Sequence, residues 1–286
     1  MTDSLATTRK GCLHARIRSW PTHPLLRIGF AASDFWARWR HATPGPARSY
    51  WVMAVVILAI GVIIGLTLDE WLTRIVQSLP VAVRELFKPF SAIGNSAYVF
   101  LGSALLAGLC VHHVHLDLPQ RVITGLLALA SRATFVFLVA AASGLLAQLG
   151  KHLIGRARPR FLETLGAFHF EPLKLQAAFA SFPSGHTITA FSVALSIAWF
   201  APRLRWPLFA LACLVGLARL MLGAHFPSDV VAGALIGLMS SIVMRQRFSA
   251  RRIAFVQRHQ RITPRGDRAI RSALAYLLRK HRKPSK

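Results

Sequence analysis

The stretch SFPSGHTITAFSVALSIAWFAPRLRWPLFALACLVGLARLMLGAHFPSDVVAGALIGLMSSIVM, residues 181–244, contains three apolar runs separated by two short polar connections. The runs are Thr187–Ala201, Trp206–Leu222 and Val230–Met244, and they are almost free of charged residues. A helix that crosses a bilayer needs roughly 17–25 predominantly apolar residues. The first and third runs reach this length when they extend into their polar N-terminal ends. The stretch therefore predicts three transmembrane helices.

Upstream of this stretch, three further apolar runs predict three more helices. They are Trp51–Leu68, Tyr98–Val114 and Ala133–Leu149. Hydrophobic residues make up 54% of the 286 residues and charged residues only 16%, whereas a soluble domain carries nearer a quarter charged residues. The sequence predicts an all-α, polytopic membrane protein with about six transmembrane helices.

The formal net charge of +25 is concentrated at the two ends of the chain. Eight of the 35 basic residues precede Tyr50 and fourteen follow Met244. Basic segments that flank apolar spans mark the cytoplasmic side of a membrane, where they meet anionic lipid headgroups. We therefore expect an inner (cytoplasmic) membrane protein with both termini in the cytoplasm, the lipid bilayer as its partner, and no nucleic-acid partner.

Three segments follow from this layout. Residues 1–49 are predicted to be a basic cytoplasmic segment, residues 50–244 a six-span membrane domain, and residues 245–286 a basic cytoplasmic tail. Within the tail, apolar residues from Ile270 to Leu278 recur on one helical face, which favours an amphipathic helix on the inner leaflet. A solvated basic tail is the alternative, and both stay open.

Six spans place three polar clusters at the same depth on the outer, periplasmic face. The first contains Lys151 and Arg158, the second runs from Ser181 to Thr187, and the third runs from Arg219 to Asp229. Two further cations, Arg156 within the first cluster and Arg160 just after it, lie on this face as well; headgroup binding and interface anchoring are both open for them.

The cations in these clusters suit a phosphate group. Arg158 and Arg219 can each bind two phosphate oxygens with a planar fork, and Lys151 adds a compact point charge. Ser184 can add a hydrogen bond, and Gly185 lets the backbone approach a ligand at a helix N-terminus, where anions bind. We expect these five residues to bind a group with about two negative charges.

The remaining polar residues are reactive. Asp229 follows His225 by four residues and is the only acidic residue between Glu171 and Asp267. We expect Asp229 to accept the His225 Nδ1–H, which leaves Nε2 free to attack phosphorus. His186 is then placed as the general acid for the leaving oxygen. The sequence thus predicts phosphate transfer through a phospho-His225 intermediate.

These clusters resemble the three-part signature of the type 2 phosphatidic acid phosphatase superfamily. The matching elements are Lys-x6-Arg-Pro at 151–159, Pro-Ser-Gly-His at 183–186 and Arg-x5-His-x3-Asp at 219–229. The resemblance implies a metal-independent phosphatase with a histidine nucleophile, no cofactor, and a helical bundle shared with vanadium haloperoxidases. Ala218 departs from the family, which usually has serine there, and this leaves substrate preference and rate in question.

The residues leave several functions open. Hydrolysis of a lipid phosphomonoester or diphosphate is the leading expectation. Transfer of the phosphoryl group to another lipid would use the same residues, and an anion-binding transporter is the non-enzyme alternative. The substrate lipid and the oligomeric state are not predicted.

Overall fold

A computed structural model describes residue 33 and residues 47–114, 116, 118–258 and 261–282 of the chain. These residues are mainly helical, with one two-stranded antiparallel hairpin in which Phe255 lies opposite Pro264. The predicted segment 1–49 lies almost wholly outside the described residues. In chain order the helices and strands are α1 (Ala47–Ser78), α2 (Val81–Glu85), α3 (Lys88–Ile93), α4 (Ser96–His113), α5 (Gln120–Ile154), α6 (Leu162–Leu165), α7 (Gly185–Phe200), α8 (Arg205–Met221), α9 (Pro227–Ala250), β1 (Phe255–Arg258), β2 (Arg261–Pro264) and α10 (Asp267–Arg282).

All six predicted spans fall on helices. Among the described residues, five helical stretches are long and apolar enough to cross a membrane. The helix that matches the remaining predicted span, α7, is apolar but has only 16 residues. The five stretches are Val52–Ser78, Val81–His113, Gln120–Ile154, Pro202–Met221 and Pro227–Ala250.

The first span differs from the prediction at its C-terminal end. The predicted span ends at Leu68, but α1 continues to Ser78, and Asp69, the first residue beyond the predicted span, is completely buried. The carboxylate can lie inside an apolar helix because Arg156 donates a hydrogen bond to it over 2.7 Å. The acidic residue is therefore part of the packed structure and not of a solvated loop.

Large apolar side chains on α1 face outward. Leu58 is 63% exposed and Leu66 is 71% exposed. Exposed side chains of this kind on a long helix are typical of a surface that lipid covers.

The described residues divide into two compact units. The first comprises residues 108–130 and the chain from Gly266 onward, where α10 packs against the start of α5. Gly125 makes this packing possible, since a Cβ there would lie 2.3 Å from the Ala269 carbonyl oxygen. The predicted tail helix is present, but its apolar residues do not form one exposed face. Ile270 is buried and Leu277 packs against the core of this unit, whereas Leu274 and Leu278 are exposed.

The second unit, residues 43–107 and 131–265, is built around α7. Helix α9 approaches α7 closely at Gly233 and Gly237, which are four residues apart and lie on one helix face. A Cβ at Gly237 would lie 2.5 Å from the Ile188 carbonyl oxygen. Glycine pairs at this spacing let two transmembrane helices meet backbone to backbone.

We expect Gly237→Ala to destabilise the protein by about 1–3 kcal/mol, because the added methyl group would collide with the α7 backbone. The thermal unfolding midpoint of detergent-solubilised protein, followed by tryptophan fluorescence, measures the change. Gly144→Ala is the matched control, since no atom outside its own helix lies within 4 Å of a Cβ there. Alanine should raise stability at Gly144 by about 0.5–1 kcal/mol, because it is the better helix former. Equal effects at the two glycines would contradict the packing described here.

Candidate active site

The ends of four helices and the segments between them bring the eight predicted site residues together. Lys151 lies in the last turn of α5, Ser184 is the N-cap residue of α7, and Arg219 lies in the last turn of α8. Arg158 lies in the loop after α5, and His225 lies in the turn between α8 and α9. His186, on the first turn of α7, is within electrostatic reach of Arg219, His225, Lys151 and Arg158.

His225 is nearly inaccessible, with 3% of its surface exposed. Its Nδ1 lies 2.7 Å from the carbonyl oxygen of Ser181. Because a carbonyl oxygen only accepts hydrogen bonds, Nδ1 carries the proton and Nε2 carries the lone pair. The ring is thus held in the tautomer that a nucleophile needs.

The partner of Nδ1 differs from the prediction. We expected Asp229 to accept this hydrogen bond, but its Oδ2 lies 3.7 Å from Nδ1, beyond hydrogen-bond distance. The same oxygen accepts from Ser181 Oγ at 2.6 Å and from the Phe226 backbone N–H at 2.9 Å. Asp229 is therefore occupied in capping α9 and in holding Ser181, and its charge acts on His225 from a short distance.

Burial lowers the pKa of His225, and the positive charges of Arg219 and Arg158 lower it further. Asp229 opposes these effects but does not cancel them. A histidine whose pKa lies below the ordinary value of about 6.5 is neutral at pH 7. Nε2 is then available as a nucleophile without loss of a proton.

The three predicted phosphate-binding cations have no carboxylate ion-pair partner within the part of the chain that the structure describes. Arg219 donates from Nη1 to Ser91 Oγ at 2.6 Å, and its Nε is buried without a hydrogen bond. Arg158 donates from Nε to the Ala177 carbonyl at 2.8 Å. Burial lowers the pKa of Arg158, and the neighbouring Arg160 adds to this effect. Cations brought together in this way without a counter-charge form a site for an anion.

Gly185 and Ser184 have different relations to this site. A Cβ at Gly185 would lie 3.3 Å from Lys151 Nζ, so glycine leaves room for the ammonium group beside the start of α7. The first backbone N–H groups of a helix have no partner within it and attract anions. Ser184 is buried and its Oγ lies 2.9 Å from Thr187 Oγ1, so its hydroxyl is engaged inside the protein.

Helix α3 forms a side of the site that the sequence did not reveal. Ser91 holds Arg219, and Gly94 lies so close to α7 that a Cβ would be 3.1 Å from His186 Cβ. No sequence pattern in this short segment indicates that it packs against α7.

Arg156 is the second residue whose position the sequence did not reveal. Its guanidinium is 3% exposed and donates to Asp229 Oδ1, Ser228 Oγ and Asp69 Oδ2, each over 2.7 Å. Interface anchoring and headgroup binding, the two interpretations open from the sequence, both require an exposed side chain. The available signal was Asp69, because an acidic residue in an apolar helix is rare and usually has a buried partner.

Two further observations complete the site. Ala218, where a serine was expected from the resemblance, is fully buried in α8. Among the described residues, no three His, Cys, Asp or Glu side chains come together as a metal site requires.

Comparison with known proteins identifies the class to which this fold and site belong. The sequence profile of the PAP2 superfamily matches residues 132–253. A lipid A 1-phosphatase of Rhizobium johnstonii is 33% identical over 213 residues, which are 73% of this chain and 87% of that protein. A lipid A 1-phosphatase of Rhizobium etli is 38% identical over 168 residues, 57% of this chain and 72% of that protein.

A solved structure agrees on the fold. The transmembrane PAP2-type phosphatidylglycerolphosphate phosphatase of Bacillus subtilis superposes with a TM-score of 0.50 at 21% identity, covering 68% of this chain and 93% of that one. The chain belongs to the PAP2 superfamily, and it is an integral membrane protein. The resemblance inferred from the three clusters and the predicted all-α membrane fold are both confirmed.

Proposed function

We propose that this chain releases phosphate from a lipid through a phospho-His225 intermediate. That the chain is a membrane lipid phosphatase, a phosphoric ester hydrolase, follows from its family and from its relatives. The observation that carries the finer proposal is the neutral, buried His225 with its Nε2 unprotonated, within electrostatic reach of Arg158 and Arg219.

The proposed reaction has two steps. In the first, Nε2 of His225 forms a bond to phosphorus, the bond to the leaving oxygen breaks, and His186 gives that oxygen a proton. Lys151, Arg158 and Arg219 bind the remaining phosphate oxygens, whose charge they stabilise in the transition state. In the second, water attacks the phosphorus, His186 takes a proton from the water, and phosphate leaves His225.

The relatives direct the choice of substrate. Two of them are lipid A 1-phosphatases, so we propose the 1-phosphate of lipid A as the first substrate to test. The basic segments at both ends of the chain support cytoplasmic termini. With that orientation the site lies on the periplasmic side of the inner membrane, where a lipid can enter sideways between helices.

The direct test is a phosphate-release panel in detergent with EDTA. The lipids are lipid A, phosphatidate, phosphatidylglycerophosphate and undecaprenyl diphosphate. We expect release from lipid A to be fastest, and release from none of the four would contradict the proposed function. Radiolabelled lipid A with an unlabelled second lipid separates two reactions: label in free phosphate shows hydrolysis, and label in the second lipid shows phosphotransfer.

The lowered pKa of His225 predicts the acidic limb of the pH profile. Protonation of Nε2 removes the nucleophile, so kcat/KM should fall only as the pH drops through the His225 pKa. Because this pKa is below the ordinary histidine value, we expect the limb below about pH 6.5. Measurement with two lipid phosphates of different ionisation separates the enzyme from the substrate. A common limb above pH 7 would contradict the expectation.

A further inference from the structure

A buried network of charges connects α1 to the turn that carries His225. Asp69 on α1 binds Arg156 in the loop after α5, and Arg156 binds Asp229 on α9. Asp229 binds Ser181 Oγ, and the Ser181 carbonyl binds His225 Nδ1. Every link is a hydrogen bond between 2.6 and 2.7 Å. We propose that Asp69 and Arg156 are positioning residues, which set the direction and the electrostatic surroundings of the His225 nucleophile.

All three nitrogens of the Arg156 guanidinium donate hydrogen bonds, which gives the group one orientation. Nη1 donates to Asp229 and Ser228, and Nη2 donates to Asp69 and to the Ala167 carbonyl. Its carbon CZ lies 4.3 Å from the centroid of the Phe226 ring, next to His225 in the sequence. The planar guanidinium therefore contacts Phe226, Ser228 and Asp229 of this turn at the same time, which a lysine could not do with one ammonium group.

Asp69 binds the same turn directly, through Ser228. Its Oδ1 accepts the backbone N–H of Ser228 at 2.8 Å, and its Oδ2 accepts from Ser228 Oγ. The carboxylate thus binds the first turn of α9 directly and through Arg156. Since one hydrogen bond from the described residues holds the ring of His225, small movements of this turn or of Ser181 would turn Nε2 away from the phosphate. A misplacement of about 1 Å can cost a hundredfold in rate.

The network also has a charge of its own. Two carboxylates and one guanidinium leave one net negative charge beside the neutral ring. When Nε2 gains a phosphoryl group or a proton, the ring becomes cationic, and a nearby negative charge stabilises that form. The groups outside the network that act on His225 are Arg219 on α8, Arg158 in the loop after α5, and His186 on α7.

The test compares Asp69→Asn with Arg156→Gln in the full-length protein. Asp69→Asn removes a negative charge, so it should move the acidic limb of kcat/KM to lower pH, by about half a unit. Arg156→Gln removes a positive charge and should move the limb to higher pH by about the same amount. Both variants should lower kcat by roughly tenfold to a hundredfold, with KM changed much less. The double variant restores the net charge, so its limb should return toward that of the unchanged protein.

Arg74→Gln is the matched control. Arg74 also joins α1 to the segment between α5 and α7, through Glu163 on α6, but it is half exposed and has no link to Asp229. Loss of this anchor should leave the limb and kcat unchanged. Equal effects in Arg74→Gln and Arg156→Gln would show that only attachment of the loop matters, which overturns the proposal.

The outcomes separate this inference from the proposed function on which it rests. Failure of the unchanged protein and of Arg74→Gln to release phosphate from any lipid would sink the proposed function. Normal activity in the unchanged protein, with limbs in Asp69→Asn and Arg156→Gln that stay in place or move in the same direction, would sink the inference alone. If neither variant folds, as judged by gel filtration in detergent, the network is structural and the inference fails.

Discussion

Replacement of His225 by alanine is expected to lower phosphate release by roughly a thousandfold or more, as removal of a covalent nucleophile does in other enzymes. The variant keeps the phosphate-binding cations but has no atom that can form the bond to phosphorus. The initial rate of release from lipid A measures the loss. Brief incubation with radiolabelled lipid followed by rapid denaturation at alkaline pH measures labelled protein, which should be absent in the variant.

His169→Ala is the matched control for this prediction. His169 is also a histidine in the polar region between α5 and α7, but its Nε2 lies 3.1 Å from Glu171 and not in the cationic cluster. The control should retain the rate of the unchanged protein. Full activity in His225→Ala, or labelled protein in it, would show that another group attacks phosphorus.

Replacement of Gly155 by alanine is expected to cost about 3–5 kcal/mol of stability, a large effect for one substitution, because it introduces both backbone strain and a severe clash. Gly155 directly follows the last residue of α5 and has a φ of +63°. A Cβ there would lie 1.7 Å from the Glu171 carbonyl oxygen. The backbone N–H of Glu171 donates to the Gly155 carbonyl at 2.8 Å, so the two loop segments cannot move apart without losing this hydrogen bond. The thermal midpoint in detergent should fall steeply, and phosphate release should fall with it.

A second glycine separates the clash from the cost of the backbone conformation. Gly223 has a φ of +59°, and no atom lies within 4 Å of a Cβ there. Gly223→Ala should therefore cost only the conformational part, about 1 kcal/mol. If both replacements lower the midpoint equally, the close approach of Glu171 to Gly155 does not contribute to stability.

The sequence predicted which segments lie together at the candidate site, because each of its motifs is local. Lys151 and Arg158 are seven residues apart, Ser184, Gly185 and His186 are consecutive, and the third motif spans eleven residues. Apolar runs of membrane length then bring these segments to one depth. A short motif at the end of a helix needs only the helix to place it, and helices are the most regular part of the sequence pattern.

What the sequence did not reveal depends on contacts between distant segments. Asp69 and Arg156 are 87 residues apart, and Ser91 and Arg219 are 128 residues apart. No periodicity couples such pairs. The difference between the predicted and the observed acceptor of the His225 Nδ1–H has a similar cause. The spacing from His225 to Asp229 suits a hydrogen bond, but the spacing does not show that Ser181 binds both residues. Side-chain pairing across a packed bundle therefore required the structure, whereas the grouping of the three motifs did not.

The reach of α1 into the site has a consequence for the modularity of this protein. The conserved family profile begins at residue 132, well after Asp69. A minimal domain cut at that boundary would keep every side chain to which we assign a role in the reaction and yet lose the carboxylate that partners Arg156. Chimeras that exchange the N-terminal helices between relatives would then need to carry the aspartate across with them. The part of the chain that the profile matches cannot be transferred alone, because Asp69, which pairs with the buried Arg156, lies outside it.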